Sequence, residues 1–180
     1  MKINSLLAAA LLLLATVASV LVLGYARTLG SPVIQLLAVL VSMGVIFYAS
    51  HPLGHFFTAK AYGVGTEYFF VGRSDFRKLD TKPMSMVGNL VPTIGTKLKK
   101  SEFTLLPPRK RGYVFGSGVI LSVALMGIQL VYVFIGGFNI LAVVFAFLFF
   151  AATLATEFLF STKVGDFAKM TGEFKKAHTP

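Results

Sequence analysis

Four apolar runs, each long enough to cross a bilayer, constrain this sequence more than any other feature. They cover about 5–26, 32–62, 112–135 and 140–160. An α-helix needs about 20 consecutive apolar residues to cross the hydrocarbon core of a membrane. Only 13% of the 180 residues are charged, which is too few to give a soluble domain its polar shell. The sequence therefore predicts a single all-α membrane domain, 1–180, with four transmembrane helices.

The ends of these runs carry recognisable helix signals. The first run follows Lys2, as a signal peptide would, but it exceeds the usual signal core of about 7–15 apolar residues, so we interpret it as a retained helix. Ser31 and Pro32 suit the cap and the first position of the second helix. Pro52 lies inside that helix and is expected to kink it.

Residues 63–111, between the second and third runs, have a different character. Glycines bracket the alternating stretch 66–71, which predicts a short strand or hairpin. Prolines and glycines punctuate the rest, so we expect a partly irregular segment associated with the membrane surface. The residues after the last run, 161–180, form a polar tail, and His178 is expected to lie in its mobile end.

Basic residues are distributed very unevenly between the two sides of the predicted bundle. All of the 17 Lys and Arg residues except Arg27 fall in the N-terminus, in or beside the segment 63–111, or in the tail. Because basic loops stay in the cytoplasm, this distribution predicts that both termini are cytoplasmic. The net charge of +10 is explained by contact with anionic lipid, and we expect no nucleic-acid partner. The main basic cluster comprises Lys97, Lys99, Lys100, Arg109, Lys110 and Arg111.

His51 and His55 are the first candidates for chemistry. On a helix, a spacing of four residues stacks two side chains on one face, which is how a helix offers two imidazoles to one metal ion. Alternatively, the pair anchors the end of the second helix or hydrogen-bonds within the bundle. The chain has no cysteine, so thiolate ligands and a cysteine nucleophile are excluded. Three histidines are also too few for a di-iron desaturase, and histidines four apart on one helix cannot flank a haem.

A third ligand should be an acid at a similar depth. The second and fourth runs cross the membrane in the same direction, so depths can be compared at about 1.5 Å per residue. Glu157 lies within the fourth run near the depth of His51, and Asp166 lies just beyond that run. An acid within a span is a functional candidate by default. The alternatives are an ion pair or hydrogen bond for Glu157 and a solvated position for Asp166.

With these residues in place, about 40–170 of the chain resembles the site-2 protease family of intramembrane zinc metalloproteases. The family carries H-E-x-x-H on one transmembrane helix and a distant zinc-binding Asp on a later one, which correspond here to His51, His55 and Asp166. The resemblance implies a three-helix core, with the first helix as an addition. The following stretches are similar to the family's in the same order: HFFTAKAYGV (55–64), FFVG (69–72), LVPTIG (90–95), RKR (109–111) and GSG (116–118).

The chain also departs from the family pattern. Pro52 occupies the position of the family's catalytic Glu, which acts as general base for the attacking water; proline cannot take a proton. Asp166 is preceded by Gly165 rather than followed by glycines. The Gly-Pro and Asn typical of the preceding helix are missing, with Val119 and Ser122 nearby. The resemblance therefore implies the fold and the metal more directly than it implies peptidase activity.

Two functional hypotheses follow. In the first, Glu157 serves as general base, or as a further ligand, in metal-dependent hydrolysis at the cytoplasmic membrane face, with a transmembrane protein or peptide as substrate and Zn²⁺ as cofactor. In the second, the protein is an inactive pseudoprotease that binds a membrane protein or lipid. Whether the protein is an enzyme stays open at this point, because the family's general base is absent.

Overall fold

The computed structural model describes residues 2–73 and 92–178. Helices dominate, and a small sheet lies at one end of the bundle. The elements in chain order are β1 (Lys2–Ile3), α1 (Ser5–Thr28), α2 (Pro32–Ala61), β2 (Thr66–Arg73), β3 (Pro92–Leu98), α3 (Lys100–Leu105), α4 (Pro108–Ile135), α5 (Ile140–Thr156), a π-helical turn (Glu157–Ser161), α6 (Thr162–Val164) and α7 (Asp166–His178).

Within the described residues, four helices are long and apolar enough to cross a membrane: α1, α2, α4 and the continuous stretch Ile140–Val164. The prediction of four helices with the length and apolar composition of membrane spans is therefore confirmed. The third helix begins earlier than predicted, at Pro108, since proline is well suited to the first turn of a helix. The fourth continues past 160 through the π-helical turn and α6.

Polar side chains fix two of the helix starts. The Asn4 carboxamide oxygen accepts hydrogen bonds from the backbone N–H groups of Leu6 and Leu7, at 3.0 and 3.3 Å, and so caps α1. Asn139 caps α5 in the same way through the N–H of Ala142, at 3.0 Å. Both caps satisfy donors that would otherwise be unpaired close to an apolar span.

The sheet is antiparallel, with strand order β1-β2-β3. Lys2 pairs with Phe70, and Phe69 pairs with Thr96 on the other side. Phe69 is fully buried and its ring packs against Phe56 of α2, so the sheet is attached to the bundle. The alternating stretch 66–71 lies within β2. Residues 74–91 of the predicted irregular segment lie outside the described residues, and they include the first two residues of the LVPTIG stretch.

The bundle is centred on the close approach of α2 and α4. A Cβ at Gly54 would clash with the Ser117 backbone, so glycine is what lets the two helices touch. Fully buried side chains, including Val39, Met43 and Met126, fill the interface. Many apolar side chains of α1 and α5 are exposed, as expected for lipid-facing helices.

The sequence predicted only a polar tail after 160, but the structure has a helix there, α7. The first turn of α4 packs against it. The Phe174 ring lies over Gly112, and Arg111 Nε donates a hydrogen bond to Glu173 Oε2 at 2.8 Å. His178 is the last residue of this helix and is exposed. Because β1, the sheet and α7 all lie at the same end of the bundle, we call it the sheet end.

Candidate metal centre

The sheet end holds a cluster of two imidazoles and one carboxylate. His51 and His55 lie one turn apart on α2, with ring centroids 5.0 Å apart, and Asp166 is the first residue of α7. Asp166 Oδ2 lies 2.9 Å from His51 Nε2 and 3.1 Å from His55 Nε2. One ligand atom from each residue lies within 4.8 Å of the others. These three predicted ligands therefore come together and could hold a metal ion.

His55 is held in one orientation by α4. Its Nδ1 lies 2.7 Å from the backbone carbonyl oxygen of Val114. A carbonyl can only accept, so Nδ1 carries a proton and donates it, as inferred from the hydrogen-bond network. Gly118 leaves room for the ring, since a Cβ there would overlap His55 Nε2. The Nε2 of His55 is thus fixed toward Asp166, the arrangement by which proteins orient a ligating imidazole.

This tautomer has a consequence for the contact with Asp166. In neutral His55 the Nε2 atom bears a lone pair, and that lone pair faces a carboxylate oxygen 3.1 Å away. Burial alone would raise the pKa of Asp166, but hydrogen bonds from His51 and His55, and their charges, hold that pKa well below its usual range. Protons on the two histidines thus keep Asp166 in its anionic form. Two acceptors in contact require either a second proton on His55 or a cation between them.

The distances suit a metal ion. Zn²⁺ binds imidazole nitrogen and carboxylate oxygen at about 2.0–2.2 Å in a tetrahedral site, which places ligand atoms about 3.3 Å apart. The two contacts with Asp166, at 2.9 and 3.1 Å, are slightly shorter than that spacing, and the three ligand atoms all lie within 4.8 Å of one another. The side chains of His51, His55 and Asp166 are 24%, 13% and 18% exposed, so the cluster is partly accessible. Three protein ligands would leave one position of a four-coordinate ion open.

Asp166 is presented by a tight break between α6 and α7. Gly165 donates its N–H to the carbonyl oxygen of Ser161 at 3.0 Å, and the Ser161 hydroxyl accepts from the Phe167 N–H at 3.3 Å. A Cβ at Gly165 would overlap Ser161, so this turn needs glycine. The glycine that precedes Asp166 therefore has a steric reason. Lys169 Nζ contacts the other carboxylate oxygen at 3.3 Å.

Glu157 lies next to this cluster but outside it. It is the first residue of the π-helical turn and is only 6% exposed. Its carboxylate interacts electrostatically with His51 and Asp166 and through a hydrogen bond with Ser161. The group of ligand atoms found among the described residues contains Asp166 and does not contain Glu157. His51 Nδ1, close by, is buried and has no hydrogen-bond partner in the described part of the chain.

Pro52 lies inside α2, directly after His51, and is buried. It has no N–H to donate to the Tyr48 carbonyl, four residues earlier. Its own carbonyl oxygen accepts a hydrogen bond from the Thr96 hydroxyl of β3 at 3.1 Å, which connects the sheet to the helix beside the cluster. Pro52 therefore has a packing role, and its carbonyl joins the helix to the sheet.

Sequence reasoning missed several supporting groups. The backbone carbonyl of Val114 leaves no trace in a sequence, and Ser161 resembles any serine at a helix end. Gly118 belongs to the GSG stretch at 116–118, which the sequence did single out. The reason for a glycine there, space for the His55 imidazole, is visible only in the folded structure. Comparisons with protein-family models, with curated proteins and with solved structures found no match to this chain. The geometry of the site is consequently the basis for any functional assignment.

Proposed function

We propose that this chain is a divergent, site-2-protease-like integral membrane metalloprotein that binds one divalent metal ion through His51, His55 and Asp166. The observation that carries the proposal is the convergence of two imidazole nitrogens on one carboxylate oxygen, at 2.9 and 3.1 Å. Two imidazoles and a carboxylate in tetrahedral reach suit Zn²⁺ best.

We place the site at the cytoplasmic face of the membrane. The N-terminal strand, the sheet and α7 share the sheet end, and nearly all basic residues of the chain belong to those segments or border them. The rule that basic loops remain in the cytoplasm supports this orientation. His55 precedes the end of α2 by six residues, or about 9 Å of helix, so the cluster lies near the membrane boundary.

We propose metal-dependent hydrolysis as the activity, with a transmembrane protein or peptide as the substrate class. A Zn²⁺ ion with three protein ligands and an open position activates water and polarises a carbonyl group. The Glu157 carboxylate interacts with both His51 and Asp166 beside the cluster, and we assign it as general base, accepting a proton from water and returning it to the leaving amine. The hydrogen bond from His55 Nδ1 to the Val114 carbonyl keeps His55 in one orientation during this reaction.

A second function is favoured by one observation. The helix position that holds the general base in the family is Pro52, and its contacts in this structure are those of a packing residue. In that alternative, the metal site is structural and the protein is a pseudoprotease that binds a membrane protein or lipid. The two functions share the metal site and differ in turnover.

Turnover separates the two functions. Zinc-loaded protein in proteoliposomes would be tested against fluorogenic transmembrane peptides. We expect cleavage by wild type, complete loss in His55→Ala, and loss of about a hundredfold or more in Glu157→Gln with zinc still bound. Glu67→Gln, at an exposed position of β2, is the matched control and should retain wild-type activity. Zinc-loaded wild type that cleaves no peptide would overturn hydrolysis and leave the binding function.

A further inference from the structure

The acidic ligand does not belong to a membrane-spanning helix. Asp166 begins α7, which is separated from the fourth span by the break at Gly165. The two histidines belong to α2, one of the four long apolar helices. The third ligand thus reaches the site only because α7 lies where it does, and the contacts that hold α7 decide whether the site is complete.

One face of α7 carries both Asp166 and its docking contacts. Asp166, Met170 and Phe174 are four residues apart, a spacing that puts them on the same side of a helix. Phe174 lies over Gly112 and Met170 lies over Gly116, two glycines that are also four apart on α4. The Phe174 ring and the Met170 thioether therefore occupy the spaces that the two glycines leave on α4. Because Asp166 lies on the same face of α7, this docking directs Asp166 toward the histidines.

An ion pair strengthens this docking. Arg111 Nε lies 2.8 Å from Glu173 Oε2, and the two side chains are 21% and 12% exposed. Glu173 Oε1 also accepts from Lys176 at 2.7 Å. Because this hydrogen-bonded pair is largely shielded from water, it holds α7 against the start of α4 more strongly than an exposed pair would.

We propose that docking of α7 onto α4 and occupation of the metal site are one coupled equilibrium, with Gly112, Gly116, Arg111 and Glu173 acting as positioning residues for Asp166. The inference rests on the proposed metal site. Coupling of this kind is reciprocal: whatever factor docking contributes to metal affinity, bound metal contributes to docking. The hydrogen bonds and ion pairs described above for His51, His55 and Asp166 involve none of these four residues, so their effect on metal binding passes through the helix.

Gly112→Ala is the sharpest test of the positioning role. Its new Cβ would meet the rigid Phe174 ring, whereas at Gly116 the flexible Met170 side chain can move aside. Gly172→Ala in α7 is the matched control, because a Cβ there meets nothing within 4 Å. Zn²⁺ affinity, measured by chelator competition on purified protein, should fall ten- to hundredfold in Gly112→Ala, less in Gly116→Ala, and stay unchanged in Gly172→Ala.

Two further readouts separate positioning from loss of fold. Arg111→Glu should weaken Zn²⁺ binding, and Arg111→Glu with Glu173→Arg should restore much of it. In wild type, Zn²⁺ should slow amide hydrogen exchange in α7, and this protection should vanish in Asp166→Ala. Two results would refute the coupling and leave the metal site standing. One is equal Zn²⁺ affinity in wild type and Gly112→Ala; the other is a rate of amide hydrogen exchange in α7 that Zn²⁺ does not change. If wild type binds no Zn²⁺, the metal site itself is refuted.

Discussion

Two polar clusters near opposite ends of the bundle differ in how their hydrogen bonds are satisfied: the Gln35–Asn139 cluster pairs its own groups, and the histidine cluster does not. At the end opposite the sheet, Gln35 accepts from the backbone N–H of Asn139 at 2.8 Å and from its side-chain amide at 2.9 Å. The same amide donates to the Pro32 carbonyl at 3.1 Å, and Gln35 donates to the Arg27 carbonyl at 3.3 Å. Each of these donors therefore has an acceptor within the cluster.

At the sheet end the pairing does not close. Asp166 receives two imidazole nitrogens on one oxygen, His55 already uses its Nδ1 proton for Val114, and His51 Nδ1 has no partner among the described residues. Buried polar groups without partners are costly. The comparison shows that the Gln35–Asn139 cluster is complete as a structural device, whereas the histidine cluster becomes complete when a cation or a proton joins it.

The largest expected effect is the removal of Asp166. Asp166→Ala takes away the charge that balances the cation and one of three ligands, so Zn²⁺ affinity should fall by a hundredfold or more, or about 2.7 kcal/mol. Chelator competition would measure it. Glu67→Gln removes an exposed acid and should leave the affinity at the wild-type value. Equal affinity in Asp166→Ala and wild type would show that the acid is not a ligand.

A smaller effect is expected where the histidine is displaced rather than removed. The new Cβ in Gly118→Ala would overlap the His55 ring, so Zn²⁺ affinity should fall about tenfold. Gly127→Ala lies on the same helix, where the nearest neighbour of a Cβ is Phe150 at an ordinary 3.7 Å, and should bind normally. Cobalt(II) absorption would report the altered ligand geometry. An unchanged cobalt spectrum in Gly118→Ala would contradict the tight fit around His55.

The smallest effect is expected at the opposite end, and it should concern stability alone. Gln35→Leu leaves the Asn139 and Arg27 groups without their partner and should lower the free energy of unfolding by about 1 kcal/mol. Thermal denaturation would detect this change, and Zn²⁺ affinity should not move. A loss of zinc binding in Gln35→Leu would mean that the two clusters are not independent.

The sequence predicted the four apolar helices and the histidine pair because both depend on local patterns. Apolar length defines a span, and the four-residue spacing of His51 and His55 needs only a helix. Asp166 was found through depth and family resemblance, and the structure adds the reason it reaches the site. That reason, α7 docked on Gly112, is a tertiary contact between segments far apart in sequence, which residue patterns do not encode. The amphipathic pattern of 166–178 was available and could have predicted the helix.

The most direct test of the metal site is the metal content of purified protein. After exposure to Zn²⁺ and removal of excess ion, elemental analysis should find about one zinc per chain in wild type and in Gln35→Leu. It should find almost none in His51→Ala or His55→Ala. Wild type without stoichiometric metal, or histidine variants that retain it, would contradict the assignment of His51, His55 and Asp166 as a metal site.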